Sequence, residues 1–198
     1  MVLPMKCSTQ RDKIAKNSSR HRSGITLFEI SLFSMLGAIM FISKKLMEFL
    51  PNMHLLGVFI VAFTVVYRKK ALIPIYIYVF LDGLFGGFGM WWFPYLYIWT
   101  ILWAVTMLLP RNLSTKYAVW VYPLLCAAHG FLFGILYAPA QMLMFSLSFK
   151  QTLLWVMAGI PFDITHGVSN FLAGLLALPV SLILRKLNSS VPSTFISE

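Results

Sequence analysis

Charged residues are scarce in this chain. They make up 11% of its 198 residues, and only six are Asp or Glu, whereas soluble domains are about one-quarter charged. The net charge of +10 does not indicate a nucleic-acid partner, because the basic residues flank apolar segments. With 59% apolar residues, the composition excludes an ordinary soluble domain and predicts one compact, all-helical membrane bundle.

Motifs for nucleotide and metal chemistry are missing too. The chain has no G-x-x-x-x-G-K-[ST] phosphate loop, no H-E-x-x-H and no C-x-x-C. Its two cysteines, Cys7 and Cys126, fall in a polar tail and in an apolar segment, so no disulfide is expected. We therefore expect a protein that is not an enzyme and that carries no cofactor or bound metal.

Six apolar segments are long enough to predict membrane-spanning helices. They cover residues 25–43, 53–67, 71–87, 90–109, 117–137 and 152–184. The sixth is longer than a bilayer requires, so we expect it to tilt, to kink at Pro161 or to begin along the outer interface. The segments define a membrane domain over residues 25–187, with a basic tail over 1–24 and a second tail over 188–198.

The placement of Lys and Arg predicts the orientation. With the N-terminus inside, every Lys and Arg except Lys44, Lys45 and Lys150 lies on the inner side. Positive residues favour cytoplasmic segments, so the pattern predicts an N-in, C-in protein with two cytoplasmic tails and no signal peptide. Residues 139–150 leave one alternative open, since a re-entrant stretch there would change the helix count.

Three polar side chains share one face of the sixth segment: Asp163, His166 and Asn170. An ionisable group at membrane depth costs about 2.5–3.5 kcal/mol unless it faces protein or a wet cavity, so this face should point inward and form a binding site. Asp163 could bind a ligand, or it could pair with His166 or another helix. Asn170 could bind a polar heterocycle or join two helices.

Further candidates lie in the third, fourth and fifth segments. Tyr95, Trp99 and Trp103 recur every four residues, so they share a face whose rings could stack on a flat ligand, with Trp99 the favoured candidate. His129 is either a satisfied interior histidine or a ligand contact. Asp82 precedes a glycine-rich turn that could act as a gate or could serve close packing.

Small residues form a stripe on the first segment. Ser31, Ser34 and Ala38 lie on one helical face, beside Gly37. Such stripes let helix backbones approach closely. The stripe could pack within this bundle, or it could be a docking face for another membrane subunit.

These residues resemble the substrate-binding S component of an energy-coupling factor (ECF) vitamin transporter. The resemblance is carried by Pro161-Phe162-Asp163 with His166 and Asn170 in the last segment, by the stripe on the first, and by Tyr95 to Trp99 entering the fourth. It extends over residues 25–187. It implies a six-helix bundle in a bacterial cell membrane that captures a vitamin or vitamin precursor from outside.

The resemblance also implies partners. Such S components dock on a transmembrane coupling subunit that joins two cytoplasmic ATPases, and they topple in the membrane to release cargo inside. The site would lie under the loop between the first two helices, here residues 44–53. In the family an Ala-x-x-x-Ala element contacts the coupling subunit; Ser34 and Ala38 have this spacing here, with serine in place of the first alanine.

Two other functions stay open at this point. A stand-alone proton-coupled carrier would use Asp82, Asp163 and His166 as a proton relay. An intramembrane metalloenzyme would use His129, Asp163 and His166 as zinc ligands. The cargo is open as well: the acidic stripe could favour a cation such as thiamine, or the ring N–H groups of a pyrimidine, a deazapurine or an amide-rich corrinoid.

Overall fold

The structure, a computed structural model, describes residues 25–50 and 52–190, and in these ranges it is all-helical, without strands. The eight α-helices are α1 (Leu27–Leu46), α2 (Leu56–Tyr67), α3 (Leu72–Gly86), α4 (Tyr95–Met107), α5 (Thr115–Phe131), α6 (Phe133–Met144), α7 (Phe149–Gly174) and α8 (Ala177–Ser189). The prediction of an all-helical fold is confirmed.

Helix α2 lies at the centre of the bundle. Nine of its 12 residues are buried, and Ile60, Val61 and Ala62 have no exposed surface. It packs against α4 and α8. Because α2 is apolar on every side, it has no polar face to turn towards solvent. Neighbouring helices therefore surround it on all sides.

Two ion pairs hold α1 and α3 side by side in the same direction. Lys70, just before α3, binds Glu29 at the start of α1 at 2.8 Å. Lys44, near the end of α1, binds Asp82 in α3 at 2.6 Å. Both carboxylates are buried, with side chains 4% and 2% exposed, so each pair replaces the water that burial removes.

The two ends of the bundle differ in charge. Arg185 donates to the carbonyl of Arg111, and Arg68 donates to the carbonyls that end α4. Lys69 and Lys70 follow Arg68 in a short 3₁₀ turn. We call this the basic end; the opposite end, where α1 ends and Asp82 lies, is called the cavity end.

Glycines bring α5 and α7 together. A methyl group on Gly130 would lie 2.8 Å from the carbonyl oxygen of His166, and one on Gly174 would lie 2.7 Å from the Cα of Pro123. Both distances are shorter than real carbon contacts, so only glycine permits this approach. The close packing fixes the face of α7 that carries His166 and Asn170.

The sixth predicted segment is not one helix, and its break lies after Gly174 rather than at Pro161. Pro161 lies inside α7, and the chain bends by 43° between α7 and α8. Pro179 explains the position of the bend. It lacks the N–H that would bond to the carbonyl of Leu175, and it is tolerated because it falls in the first turn of α8.

Other boundaries also shift. The fifth segment continues beyond 137 as two helices, α5 and α6, and much of the open stretch 139–150 is helical. Among the described helices, α1 and the continuous unit Thr115–Met144 are long and apolar enough to cross a membrane, and α7 with α8 is a third if the bent pair counts as one span. Residues 1–24 and 191–198, which include Cys7 and most of both predicted tails, lie outside the described ranges.

Candidate functional site

A cavity of about 210 Å³ opens at the cavity end, beneath the loop that joins α1 to α2. Its walls come from the end of α1, this loop, α2, the first turns of α4 and α6, and α7. The lining residues are Lys44, Met47, Glu48, Leu50, Asn52, Met53, His54, Leu56, Tyr95, Trp99, Phe133 and His166. The described loop residues are 47–50 and 52–54, and we call them the covering loop.

Two histidines meet in the wall of the cavity. The Nε2 atoms of His54 and His166 are 3.0 Å apart, and their rings lie edge to face with centroids 4.8 Å apart. His54 belongs to the covering loop, outside the helices, and burial lowers its pKa well below the usual 6.5. The pair therefore joins the loop to α7, and the His54 ring is neutral at pH 7.

Trp99 is the aromatic centre of the site. It is 1% exposed, and its ring lies 5.6 Å from Tyr95, 5.6 Å from His129, 5.8 Å from His54 and 5.9 Å from Phe133, centroid to centroid. Its indole Nε1 is buried and has no hydrogen-bond partner among the described residues. Buried indole N–H groups usually have an acceptor, so the missing partner of this donor is unusual.

An ammonium group lies beside these rings. Lys44 Nζ donates to both carboxylate oxygens of Asp82, at 2.6 and 2.7 Å. The same nitrogen lies 5.3 Å from the ring centre of Tyr95 and 5.7 Å from that of Trp91. These contacts hold the end of α1 against the first turn of α4, next to the cavity.

The mouth of the cavity carries a second, exposed ion pair. Lys45 binds Glu48 at 3.0 Å, and the Glu48 side chain is 61% exposed. The hydrogen bond from Lys45 lowers the pKa of the Glu48 carboxyl, and the positive charges of Lys45 and Lys44 add to this effect. Both carboxylates near the cavity, Asp82 and Glu48, thus have a lysine partner.

A further contact fastens the covering loop. The Ser169 hydroxyl in α7 donates to the backbone carbonyl of Asn52 at 2.9 Å. Asn52 has a φ of 59°, a left-handed conformation that asparagine tolerates better than most residues. Because His166 and Ser169 are both on α7, the loop is attached to that helix at two points.

The structure brings Tyr95, Trp99 and His166 together in the cavity but leaves Asp163 outside it. No hydrogen bond or ion pair joins Asp163 to His166 in the part of the chain that the structure describes. Its Oδ1 accepts the N–H of Gly134 at 3.0 Å, in the first turn of α6, where a carboxylate satisfies a free donor and matches the helix dipole. As the sequence predicts, the polar face of α7 points into the bundle: His166 and Asn170 are buried and Asp163 is half-buried. Asp163 caps α6 in the structure.

The remaining predicted site residues surround the cavity without lining it. Asn170 is 2% exposed and lies against Gly130, with its amide nitrogen unpartnered among the described residues. His129 places its Nε2 3.2 Å from the carbonyl of Ile98, behind Trp99. Asp82 is separated from the cavity by Lys44.

In two groups of residues that the sequence places on one helical face, the members have different surroundings in the structure. Trp103 does not continue the aromatic wall, because its indole N–H donates to the carbonyl of Arg68 at 3.1 Å, towards the basic end. On α1, Gly37 makes the close contact with α3, whereas Ser31 and Ser34 are exposed and Ala38 is half-buried. The exposed face is therefore not used within this bundle.

Sequence reasoning missed three residues of the site. His54 directly follows the stretch that was expected to cover the site, which was the available signal. Phe133 follows His129 by four residues and so shares its side of the chain. Lys44 is one of the few cations placed on the outer side by the predicted orientation, and such an exception needs a partner.

The metalloenzyme interpretation is not supported. His129, Asp163 and His166 have separate partners: the carbonyl of Ile98, the N–H of Gly134 and the imidazole of His54. Within residues 25–50 and 52–190, no group of three His, Cys, Asp or Glu side chains is arranged to hold a metal ion. The three residues of the alternative proton relay also have separate partners: Asp82 binds Lys44, Asp163 binds the N–H of Gly134 and His166 meets His54.

Comparison with family models, curated proteins and solved structures gives no match to this chain. Its function must therefore be inferred from the residues and geometry of the site.

Proposed function

We propose that this chain is the substrate-binding S component of an ECF transporter, which captures a small vitamin-like molecule from outside the cell. The observation that carries the proposal is the cavity under the covering loop, lined by Tyr95, Trp99 and His166. A buried aromatic pocket with a few polar groups is the usual form of a small-molecule site. Nothing in this cavity supplies energy for release, so delivery inward needs a partner.

The proposal includes six spans with both termini inside. The spans are α1, α2, α3, α4, the α5–α6 unit and the bent α7–α8 pair. It is supported by the charge difference between the two ends, because the basic end would face the cytoplasm and the cavity end the exterior. Helices α2, α3 and α4 have 12, 15 and 13 residues, and protein neighbours would shield their ends.

The proposed partners are a transmembrane coupling subunit and two cytoplasmic ATPases. The face of α1 with Ser31 and Ser34 is exposed in the bundle, and small residues there would permit close approach of another helix. We expect Ser34→Phe to abolish co-purification with the coupling subunit while ligand binding persists. Ser190→Phe, an exposed serine beyond α8, is the matched control.

Reconstitution in liposomes tests the proposal. The chain alone should bind its cargo without accumulating it, and accumulation should require the coupling subunit, both ATPases and internal ATP. The Lys44–Asp82 and His54–His166 pairs also allow a proton-coupled carrier. Accumulation by the chain alone, driven by a proton gradient, would establish the carrier and refute the S-component assignment.

A further inference from the structure

The charged groups around the cavity are already paired. Lys44 uses Asp82, and Lys45 uses Glu48. Asp163 is not among the residues that line the cavity, and its carboxylate caps α6. Among the described residues, the carboxylate that lines the cavity, Glu48, already pairs with Lys45, so a cationic ligand would have to compete with a lysine for it.

The aromatic faces do not compensate for this. Rings attract a cation through their electron-rich faces, and Tyr95 would be the natural place for one. The Lys44 ammonium already lies 5.3 Å from the centre of the Tyr95 ring. A second cation beside it would be repelled.

The walls instead offer polar groups that need a partner. Trp99 Nε1 is a donor only, and it is buried without an acceptor. His54 Nδ1 is also buried without a partner, while its Nε2 is engaged by His166. An unpaired buried donor is unfavourable, and an acceptor atom on a bound molecule is the partner that the described residues do not supply.

The size of the cavity limits the ligand. About 210 Å³ is below the range of roughly 300–1,000 Å³ that is typical of sites for drug-sized ligands. The space suits one or two fused rings between Tyr95, Trp99 and Phe133. It is far too small for a corrinoid.

We infer that the cavity binds an uncharged, flat heterocycle of one or two rings, whose edge presents a ring nitrogen or carbonyl oxygen to the Trp99 indole N–H. This inference depends on the proposed function, since it specifies the cargo of the same site. Of the cargo classes that the sequence leaves open, this inference excludes a thiamine-like cation and a corrinoid and keeps the pyrimidines and deazapurines. It also changes the role of the predicted acidic stripe, which does not select the cargo.

The test is a binding measurement on the full-length protein in lipid nanodiscs, freed of co-purified molecules. Nicotinamide, uracil, adenine and xanthine serve as uncharged probes, and 1-methylnicotinamide and thiamine as cationic ones. Equilibrium dialysis with mass spectrometry reports the bound fraction of each. We expect at least one uncharged probe to bind and 1-methylnicotinamide to bind more weakly than nicotinamide. Preference for either cation, or no binding of any uncharged probe, overturns the inference.

A pair of variants tests the indole N–H separately. Trp99→Phe keeps an aromatic ring and removes the donor, so affinity for the bound probe should fall about tenfold. Trp103→Phe removes an indole donor that serves the carbonyl of Arg68, away from the cavity, and should leave affinity unchanged. Equal affinity in wild type and Trp99→Phe overturns the assignment of the Trp99 indole as the donor. The preference for uncharged over cationic probes is measured on the wild type and does not depend on this variant.

These outcomes are distinct from those of the proposed function. Binding of an uncharged heterocycle without accumulation by the reconstituted coupling module would refute the S-component assignment and leave the inference standing. ATP-driven accumulation of a cation would do the reverse.

Discussion

His54 and His166 join the covering loop to α7 across an Nε2–Nε2 distance of 3.0 Å, with their rings at 86°. One nitrogen must donate and the other must accept, so the contact needs a single shared proton between these two atoms. Protonation of both rings would remove the acceptor and place two like charges side by side in a buried site. The contact between the covering loop and α7 therefore requires that one of the two Nε2 atoms stays unprotonated.

Acidification should destabilise the protein through His54. Burial lowers the pKa of this loop histidine, and His166, His129 and Lys44 lower it further. Because the folded state favours the neutral ring, the unfolded chain binds more protons as the pH falls, and stability should decline below the ordinary value of 6.5. The decline is limited to about 1.4 kcal/mol per pH unit for one histidine.

Thermal unfolding in detergent between about pH 8 and pH 5 measures this slope. His54→Gln keeps a polar side chain that does not titrate, so its unfolding temperature should depend less on pH than that of the wild type. An identical slope in the two proteins would show that His54 binds protons equally in the folded and unfolded states, so that folding does not lower its pKa.

Removal of one partner from the Lys44–Asp82 pair should be strongly destabilising. The Asp82 side chain is 2% exposed, so Lys44→Met leaves a buried carboxylate without compensation. The expected cost is about 3 kcal/mol, and Asp82→Asn should cost less because it removes the buried charge itself. The double variant should recover part of the loss of Lys44→Met.

Lys45→Met is the matched control for this pair. It breaks the neighbouring bond to Glu48, whose side chain is 61% exposed, and exposed pairs contribute little. Its unfolding temperature should stay close to that of the wild type. If Lys44→Met and Lys45→Met are equally stable, the Lys44–Asp82 pair is solvated rather than buried.

Gly130→Ala should separate α5 from α7. The added methyl would lie 2.8 Å from the His166 carbonyl oxygen and 2.9 Å from the Cα of Gly167, both backbone atoms that cannot rotate away. We expect a loss of about 1–3 kcal/mol, as for other overpacked sites. Gly159→Ala is the control, since nothing lies within 4 Å of its added methyl. Equal unfolding temperatures for the two variants would contradict the close approach of α5 and α7.

Much of the fold follows from the sequence because apolar length and charge placement are local signals. The direction of the α7 face was also predictable, since polar groups at membrane depth turn inward: His166 and Asn170 are buried, and Ile164 and Val168 are exposed. The bend before α8 was predictable in principle from Pro179, whose missing N–H cannot bond to the carbonyl of Leu175, whereas Pro161 lies inside the continuous helix α7.

The partners of polar residues were not predictable. Asp163 and His166 share a helical face, yet one caps α6 and the other meets a loop residue 112 positions earlier in the chain. Spacing within a helix fixes which side a residue faces, whereas its partner depends on how other helices are placed. The same limit hid the pairing of Lys44 with Asp82, which joins two helices 38 positions apart.

Ser169→Ala should loosen the covering loop without unfolding the bundle. The variant loses the hydroxyl that donates to the Asn52 carbonyl at 2.9 Å, a bond worth about 1 kcal/mol, and leaves His166 as the remaining attachment to α7. Hydrogen exchange of residues 47–54 should quicken several-fold, while exchange in α2 should not change.

Ser181→Ala removes a comparable hydroxyl, which donates to the carbonyl of Leu178 at 2.8 Å in α8. It should lower stability by a similar amount and leave exchange in the covering loop as in the wild type. A lost hydrogen bond lowers the free energy of local opening, and so speeds exchange, only in the segment that the bond holds. The contrast between the two serine variants therefore isolates the attachment of the covering loop. If both variants speed exchange in the loop equally, the effect is global destabilisation and Ser169 does not hold the loop closed.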